Sequence, residues 1–368
     1  MRRYPKRFTM LAFLVSTGLA LTPGIAAAAD NGEYASWARS GSSGAWQAAG
    51  TPAAGFPVAS IASNATSLTT PTGASTFLGP ATPPGLIYGS SQNNGYVNIS
   101  TATGVTPSTS TVTFASPTPA KDWAFILGDL DADVVTISAT DAAGDPISPA
   151  DLGFEGTFNY CAYSPKPSSC TGPGPFDHVP TWSADTSSLI GDGDDTSGAA
   201  AWFQPTVAVK TLTFTFARLN GIPIFQFWLA TKAVPVMIPI KGTTDECRPS
   251  VELDDADGAP VMIAGGPVVV QAGPDGTVVL PAVVDGDYQL HMTVPGCGKP
   301  IDNPVYPITV DVEKGPVTVP PGTFAIEVPE LADTGQHTLS VLGAAGAALV
   351  AGLALVVGAR RRRLLPRL

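Results

Sequence analysis

Apolar and polar residues alternate one for one through the clearest stretches of this chain. In Thr211-Leu212-Thr213-Phe214-Thr215-Phe216 a threonine separates each apolar residue from the next, the pattern of a strand with one wet face and one buried face. Similar runs at residues 110–114, 122–127, 134–139, 206–216 and 224–230 predict strands in one block. Runs at 234–240, 249–253, 267–272, 277–282, 288–294, 306–312 and 323–328 predict strands in a second. Nothing between them sustains a helical period, and Gly, Pro, Ser and Thr fill the intervals. Residues 30–110 are low in charge and full of turn signals, such as Gly50-Thr51-Pro52 and Gln92-Asn93-Asn94-Gly95, around short apolar pieces. The expected fold class is all-β: a jelly-roll-like sandwich over residues 30–232, then a small Ig-like sandwich over 233–329.

The hydrophobic pattern changes character at both ends. Arg2, Arg3, Lys6 and Arg7 precede an apolar segment at 8–21, then Pro23-Gly24 and small residues from Ala26 to Ala29. A charged start, an apolar middle and an Ala-x-Ala site predict a signal peptide over 1–29 and export. At the other end, Leu331-Ala332-Asp333-Thr334-Gly335 is followed by an apolar run at 339–359 and then by Arg360, Arg361, Arg362 and Arg363. As a helix that run is about 30 Å long at about 1.5 Å per residue, enough for one transmembrane crossing, with the arginines left on the cytoplasmic side.

This order of pentapeptide, span and basic stop, over 330–368, resembles the sorting signal of sortase-anchored cell-wall proteins of Gram-positive bacteria. Ala332 stands where the usual form has proline, which looks like the Leu-Ala-x-Thr-Gly variant of actinomycetes. The resemblance implies that sortase cleaves between Thr334 and Gly335 and joins Thr334 to peptidoglycan, leaving the protein on the cell surface. The precursor would span the plasma membrane once.

Two further resemblances concern the blocks between the ends. Lys121-Asp122-Trp123-Ala124-Phe125, Gly128-Asp129-Leu130-Asp131-Ala132-Asp133, Asp141-Ala142-Ala143-Gly144 and Phe225-Gln226-Phe227-Trp228-Leu229-Ala230 resemble a large β-sandwich domain of anchored bacterial surface proteins. Leu253-Asp254-Asp255-Ala256-Asp257-Gly258-Ala259-Pro260, Gly276-Thr277-Val278 and Asp285-Gly286-Asp287-Tyr288-Gln289-Leu290 look like the collagen-adhesin B-type module, a transthyretin-like or prealbumin-like sandwich. Many members of that family carry a lysine-to-asparagine isopeptide bond. Here Lys241 and Asn303 are the plausible partners and no acid is clearly placed to catalyse it, so a disulfide is expected instead. Val305-Tyr306-Pro307-Ile308 lacks the lysine by which pilin shafts polymerise.

Charge and chemistry refine this picture. Four of the nineteen bases precede Asp30 and five follow Gly335, so the segment between keeps ten bases against all thirty acids, a formal net charge of −20. Such a segment repels nucleic acid and anionic lipid and suits divalent cations. Cys161, Cys170, Cys247 and Cys297 are expected to pair within their blocks, Cys161 with Cys170 and Cys247 with Cys297, among three possible connectivities.

Asp129, Asp131 and Asp133 alternate at strand spacing, which predicts three carboxylates on one face. Asp192, Asp194 and Asp195 lie in a Gly-rich loop. Either cluster is a candidate calcium site, the one cofactor the sequence suggests. His178, beside Asp177, is the one histidine that invites a Ser-His-Asp reading. No Gly-x-Ser-x-Gly elbow supports it, and the chain is expected not to be an enzyme. All six tryptophans fall in the first block. Trp123 and Trp228 sit in apolar strands and read as core, while Trp37, Trp46 and Trp182 stand among small polar residues and read as exposed, where they would stack on sugars. The function expected is surface display, with the first block binding an extracellular glycan or matrix protein; the alternative is a structural envelope component with no ligand.

Overall fold

The computed structural model describes residues 32–101, 106–263 and 265–329, which all belong to one compact unit. The signal segment 1–29, the pentapeptide 331–335 and the apolar run 339–359 lie outside the described residues. Among those described, no helix is long and apolar enough to cross a membrane.

The fold is all-β and consists of two sandwiches in series. In the first, one sheet orders Phe154–Asn159, Ala199–Phe203, Trp123–Gly128, Ile224–Lys232, Val97–Ser100 and Ser67–Thr69, with Gly32–Tyr34 paired to the end of Ile224–Lys232. The facing sheet orders Thr181–Ser183, Ser188–Ile190, Asp133–Thr140, Thr211–Arg218, Ser108–Phe114, Ala59–Ser63, Ala45–Thr51 and Ser36–Ser42. The alternation that predicted Thr211–Arg218 works as expected. Leu212, Phe214 and Phe216 are buried between the sheets. The threonines form a hydroxyl ladder on the other face, with Thr211 Oγ1 2.7 Å from that of Thr140 and Thr213 Oγ1 3.1 Å from that of Thr111. This strand begins at Thr211, so residues 206–210 are connection rather than strand.

Aromatic rings fill the space between the sheets. Phe125 stacks on Phe203 at 4.7 Å, and Trp123 meets Phe114 edge-on at 5.6 Å. Trp123–Gly128 and Ala199–Phe203 are buried at every position because the first sheet is covered on its outer side as well. There Leu78, Tyr88, Tyr96, Tyr160 and Cys161 form a second cluster over Ala124, Ile126, Ala200, Trp202 and Trp228. The Cys161–Cys170 disulfide pins this covering layer.

In the second sandwich, Thr277–Val283, Val234–Lys241, Phe324–Glu327 and Lys299–Pro300 make one sheet, joined by Val317–Thr318. Val269–Gln271, Ser250–Asp255, Gly286–Thr293 and Val305–Val310 make the other. Cys247 and Cys297 are bonded beside its core. Lys241 is exposed, and the Asn303 side chain accepts from the Val305 amide at 3.1 Å.

The two sandwiches meet along a defined junction. Ala54 donates to the Ala282 carbonyl and accepts from the Val284 amide, both at 3.0 Å, which lays the loop after Ala45–Thr51 against the second sandwich. Lys121 bridges Asp122 at 3.0 Å and Asp285 at 3.2 Å, and Lys232 bridges Asp122 at 3.1 Å and Glu313 at 2.5 Å. Trp123–Gly128 starts at this junction and runs away from it. Its far end, Gly128, therefore lies at the opposite end of the first sandwich, about 20 Å off at about 3.3 Å per residue.

Candidate functional site

That far end gathers the chemistry. Asp129, Asp131 and Asp133 do not lie along one strand as the alternation predicts. Asp129 has φ +61°, in the left-handed region that aspartate tolerates better than most residues, and it turns the chain out of Trp123–Gly128. Asp131 sits in the resulting turn, and only Asp133 enters the next strand, Asp133–Thr140.

The second acidic group, expected as one cluster, is divided. His178 Nδ1 lies 2.6 Å from Asp192 Oδ2, and one ligand atom each from His178, Asp192 and Asp194 lie within 4.8 Å of one another near the surface. Asp195 turns the other way, accepting from the Ile222 amide at 3.1 Å and joining the field around Asp129, Asp131 and Asp133. The Asp192 loop is laid over the Asp131 turn by the Gly191 amide to the Asp133 carbonyl and the Gly193 amide to the Asp131 carbonyl. Asp131 clamps the two, its Oδ2 accepting from the Thr196 amide at 2.7 Å and its Oδ1 from the Ala132 amide at 2.7 Å.

Burial and mutual repulsion raise the acids of this group. Burial pushes Asp133 up to about 8, with Asp131, Asp129 and Asp195 adding to the rise and Arg218 opposing it. Burial likewise raises Asp129 to about 7, helped by Asp131 and Asp195. Burial also raises Asp131, against the opposing bonds from Thr196 and Ala132. The exposed pair behaves differently: the hydrogen bond to Asp192 lifts His178 above the usual imidazole value. Burial pushes Asp192 up, but the bonds from the Asp194 amide and His178 outweigh it and hold the acid below its usual range.

Beside these acids lies an open groove of about 420 Å³ with Asn159, Thr171, Phe176, His178 and Ser197 among its lining. Asn159, 3% exposed, organises it. Its Oδ1 accepts from the Cys161 amide, and its Nδ2 donates to the carbonyls of His178 and Ser197 at 3.0 and 2.9 Å. Gly198 has to be glycine here. At φ +92° a Cβ would lie 2.3 Å from Asn159 Oδ1 and 2.7 Å from Cys161 Sγ.

No protein-family model matches the chain, and no curated protein does. Among solved structures it is similar in part to BcpA, the major pilin subunit of Bacillus cereus, at 10% identity over 61% of this chain and 65% of that one, TM-score 0.23. It is similar in part to the group B streptococcus pilus 2b backbone protein, at 11% identity over 58% and 92%, TM-score 0.22. The full-length major pilin SpaD of Corynebacterium diphtheriae matches at 12% over 60% of each, TM-score 0.21. The chain thus spans just under two thirds of the length of BcpA. At TM-scores this low nothing about function follows from them.

The tryptophans need correction. Trp37 is buried, edge-on to Phe227 at 5.7 Å. Trp46 is half-buried with the Arg39 guanidinium 5.2 Å from its ring, and Trp182 stacks on Phe154 at 5.6 Å. Of the three expected as sugar-stacking platforms, Trp37 belongs to the core, as Trp123 and Trp228 do, while Trp46 and Trp182 are half-buried against it. The groove was not visible in the sequence, since Asn159 carries no motif and acts through three backbone contacts. His178 has the aspartate half of a triad in Asp192. Among the described residues no serine or threonine hydroxyl is hydrogen-bonded to it.

Proposed function

We propose that this is a surface protein held at the bacterial cell wall, exported by the 1–29 signal and joined to peptidoglycan through Thr334 by sortase. The observation that carries the reading is the order of Leu331-Ala332-Asp333-Thr334-Gly335, the apolar run 339–359 and the arginines 360–363. Its work is display. The wall attachment follows the second sandwich in the chain, and the groove at Asn159 and His178 lies at the end of the first sandwich away from that second module. A distal groove lined by an amide, hydroxyls and an imidazole suits a polar extracellular ligand, a glycan or a matrix protein. The burial of Trp37 removes one of the three candidate sugar platforms and supports the plainer alternative, a structural envelope component without a ligand.

The anchoring test is release from cells. A peptidoglycan-digesting enzyme is expected to free the protein, detergent is not, and Thr334→Ala is expected to move it from the wall to the membrane fraction. Release by detergent alone refutes the anchoring. Glycan and matrix-protein arrays probed with the exported chain separate the two display readings. Binding that Ser197→Trp abolishes places a ligand in the groove, and a blank array leaves the structural role.

A further inference from the structure

Asp133 is an uncomfortable side chain among the described residues. It opens Asp133–Thr140 on the inward side, in step with buried Val135 and Ile137, and is 1% exposed. Both its carboxylate oxygens are buried without a hydrogen-bond partner. A buried carboxylate left unpaired is among the costlier arrangements a fold can hold, and folds avoid it by supplying a donor, a proton or a cation. Among the described residues no donor reaches either oxygen. The surroundings offer more acid: Asp129 and Asp131 precede it in the turn, and Asp195 is brought over by the loop that Asp131 clamps at Thr196. Arg218, its cross-strand partner, brings one positive charge to four carboxylates.

We propose that the end of the first sandwich away from the junction holds a calcium-class cation. Asp133, Asp129 and Asp195 are its carboxylate ligands, and Asp131 is the positioning residue that fastens the three chain segments around it. The donor set is all oxygen, which selects a hard divalent ion over zinc. The segments are already tied together: 129–133 to 191–196 through Gly191, Gly193 and Thr196, and 191–196 to 218–222 through Asp195 and Ile222. The ligand trio already drawn within 4.8 Å among the described residues is the exposed His178, Asp192 and Asp194, so the Asp133 group closes on the ion by rotation of Asp129 and Asp195. The trio's histidine and Asp192 satisfy each other by a hydrogen bond. Asp133 has no such partner, and that contrast selects the buried group. The inference is independent of wall anchoring and of any ligand in the groove.

The test is calcium chloride titrated into the full chain after EGTA treatment, by calorimetry, with melting in calcium and in EGTA. Wild type is expected to bind one ion and to melt several degrees higher with calcium. Asp133→Asn is expected to weaken binding at least tenfold and to melt at one temperature in both buffers. In EGTA it should match or exceed wild type, since the amide removes the unpaired charge. Asp129→Asn, at a less buried position, is expected to weaken binding as well and guards against a folding failure at Asp133. The paired change Asp192→Asn with Asp194→Asn is expected to leave binding intact. No heat and no calcium-dependent melting in wild type overturns the proposal. So does calcium binding that survives Asp133→Asn and Asp129→Asn, or that the Asp192/Asp194 pair abolishes.

Discussion

Gly55→Ala should loosen the junction between the sandwiches, and the cost can be worked from two separate contributions. Gly55 has φ +87°, a conformation that costs an L-residue about 1–2 kcal/mol. A Cβ there would also lie 2.1 Å from Tyr288 Oη, with Tyr288 Cζ at 2.9 Å and Val284 Cγ2 at 3.0 Å. Tyr288 has little room to give. It is 6% exposed, and its hydroxyl donates to the Val284 carbonyl at 3.2 Å. Overpacking of this kind costs about 1–3 kcal/mol, so the total is about 2–5 kcal/mol. Tyr288→Phe alone loses one hydrogen bond, about 1 kcal/mol. In the double variant the oxygen that the new Cβ strikes is gone while Cζ remains, so part of the clash disappears and the two changes couple favourably by about 1 kcal/mol or more. Urea unfolding of the four proteins measures this, with tryptophan fluorescence reporting the first sandwich, where every tryptophan lies, and far-UV circular dichroism reporting both. Strict additivity of the two changes would refute the clash, and an unchanged midpoint for Gly55→Ala would refute the junction geometry altogether.

Further outcomes follow from the same contacts. Opening the Cys247–Cys297 bond, which spans 50 residues, by double alanine substitution should cost about 4 kcal/mol, against about 3 kcal/mol for Cys161–Cys170, which spans 9; equal costs by denaturant titration would contradict the loop-entropy account. Asn159→Ala should cost about 2–4 kcal/mol and speed amide exchange selectively at residues 171–178 and 196–198, because it strands the His178 and Ser197 carbonyls; uniform exchange across the sandwich would contradict that local role. The His178 imidazole should titrate above its usual value, and Asp192→Asn should bring it down. Its folded value is raised, so the pairing stabilises the fold fully below the unfolded imidazole value near 6.5, and the effect is lost as pH rises through the folded value. An NMR titration with no change in the Asp192→Asn protein rejects the pairing.

How much the sequence disclosed depended on side-chain size. Strands announce themselves where large apolar residues alternate with polar ones, as in Thr211–Arg218, Asp133–Thr140 and Gly286–Thr293. They are silent where the strand is made of Ala, Gly and Ser. Ser36–Ser42 and Ala45–Thr51 carry no strand pattern among the turn signals of 30–110, and Trp37 reads as exposed because small residues surround it. Those small residues are what bury it: a Cβ on Gly50 would lie 2.6 Å from the Trp37 ring, so glycine is the space the indole occupies. Gly128 makes the same room for Trp228, where a Cβ would lie 2.8 Å from the ring. The aspartates failed for a different reason. Period-two spacing predicts one face only if the backbone stays extended, and Asp129 at positive φ breaks that condition.

The distribution of charge along Trp123–Gly128 ties these points together. At the junction end, Asp122 is held below the usual carboxylate range: burial raises it, and Lys121 and Lys232 more than reverse that. At the other end, Asp129 and Asp133 are raised, and the base opposite Asp133 in the sheet register, Arg218, only partly opposes the rise. A segment such as 30–335, with ten bases for thirty acids, cannot neutralise every carboxylate internally. Exposed lysine–carboxylate pairs are screened by solvent and add little stability, so the junction gains position more than stability from sharing two lysines among Asp122, Asp285 and Glu313. With those bases committed between the sandwiches, the proposed cation would add its counter-charge to the one that Arg218 brings to the distal carboxylates. Stability of the distal end should therefore respond to calcium while the junction responds to salt, and melting curves that shift alike under both conditions would show that the two ends do not differ in this way.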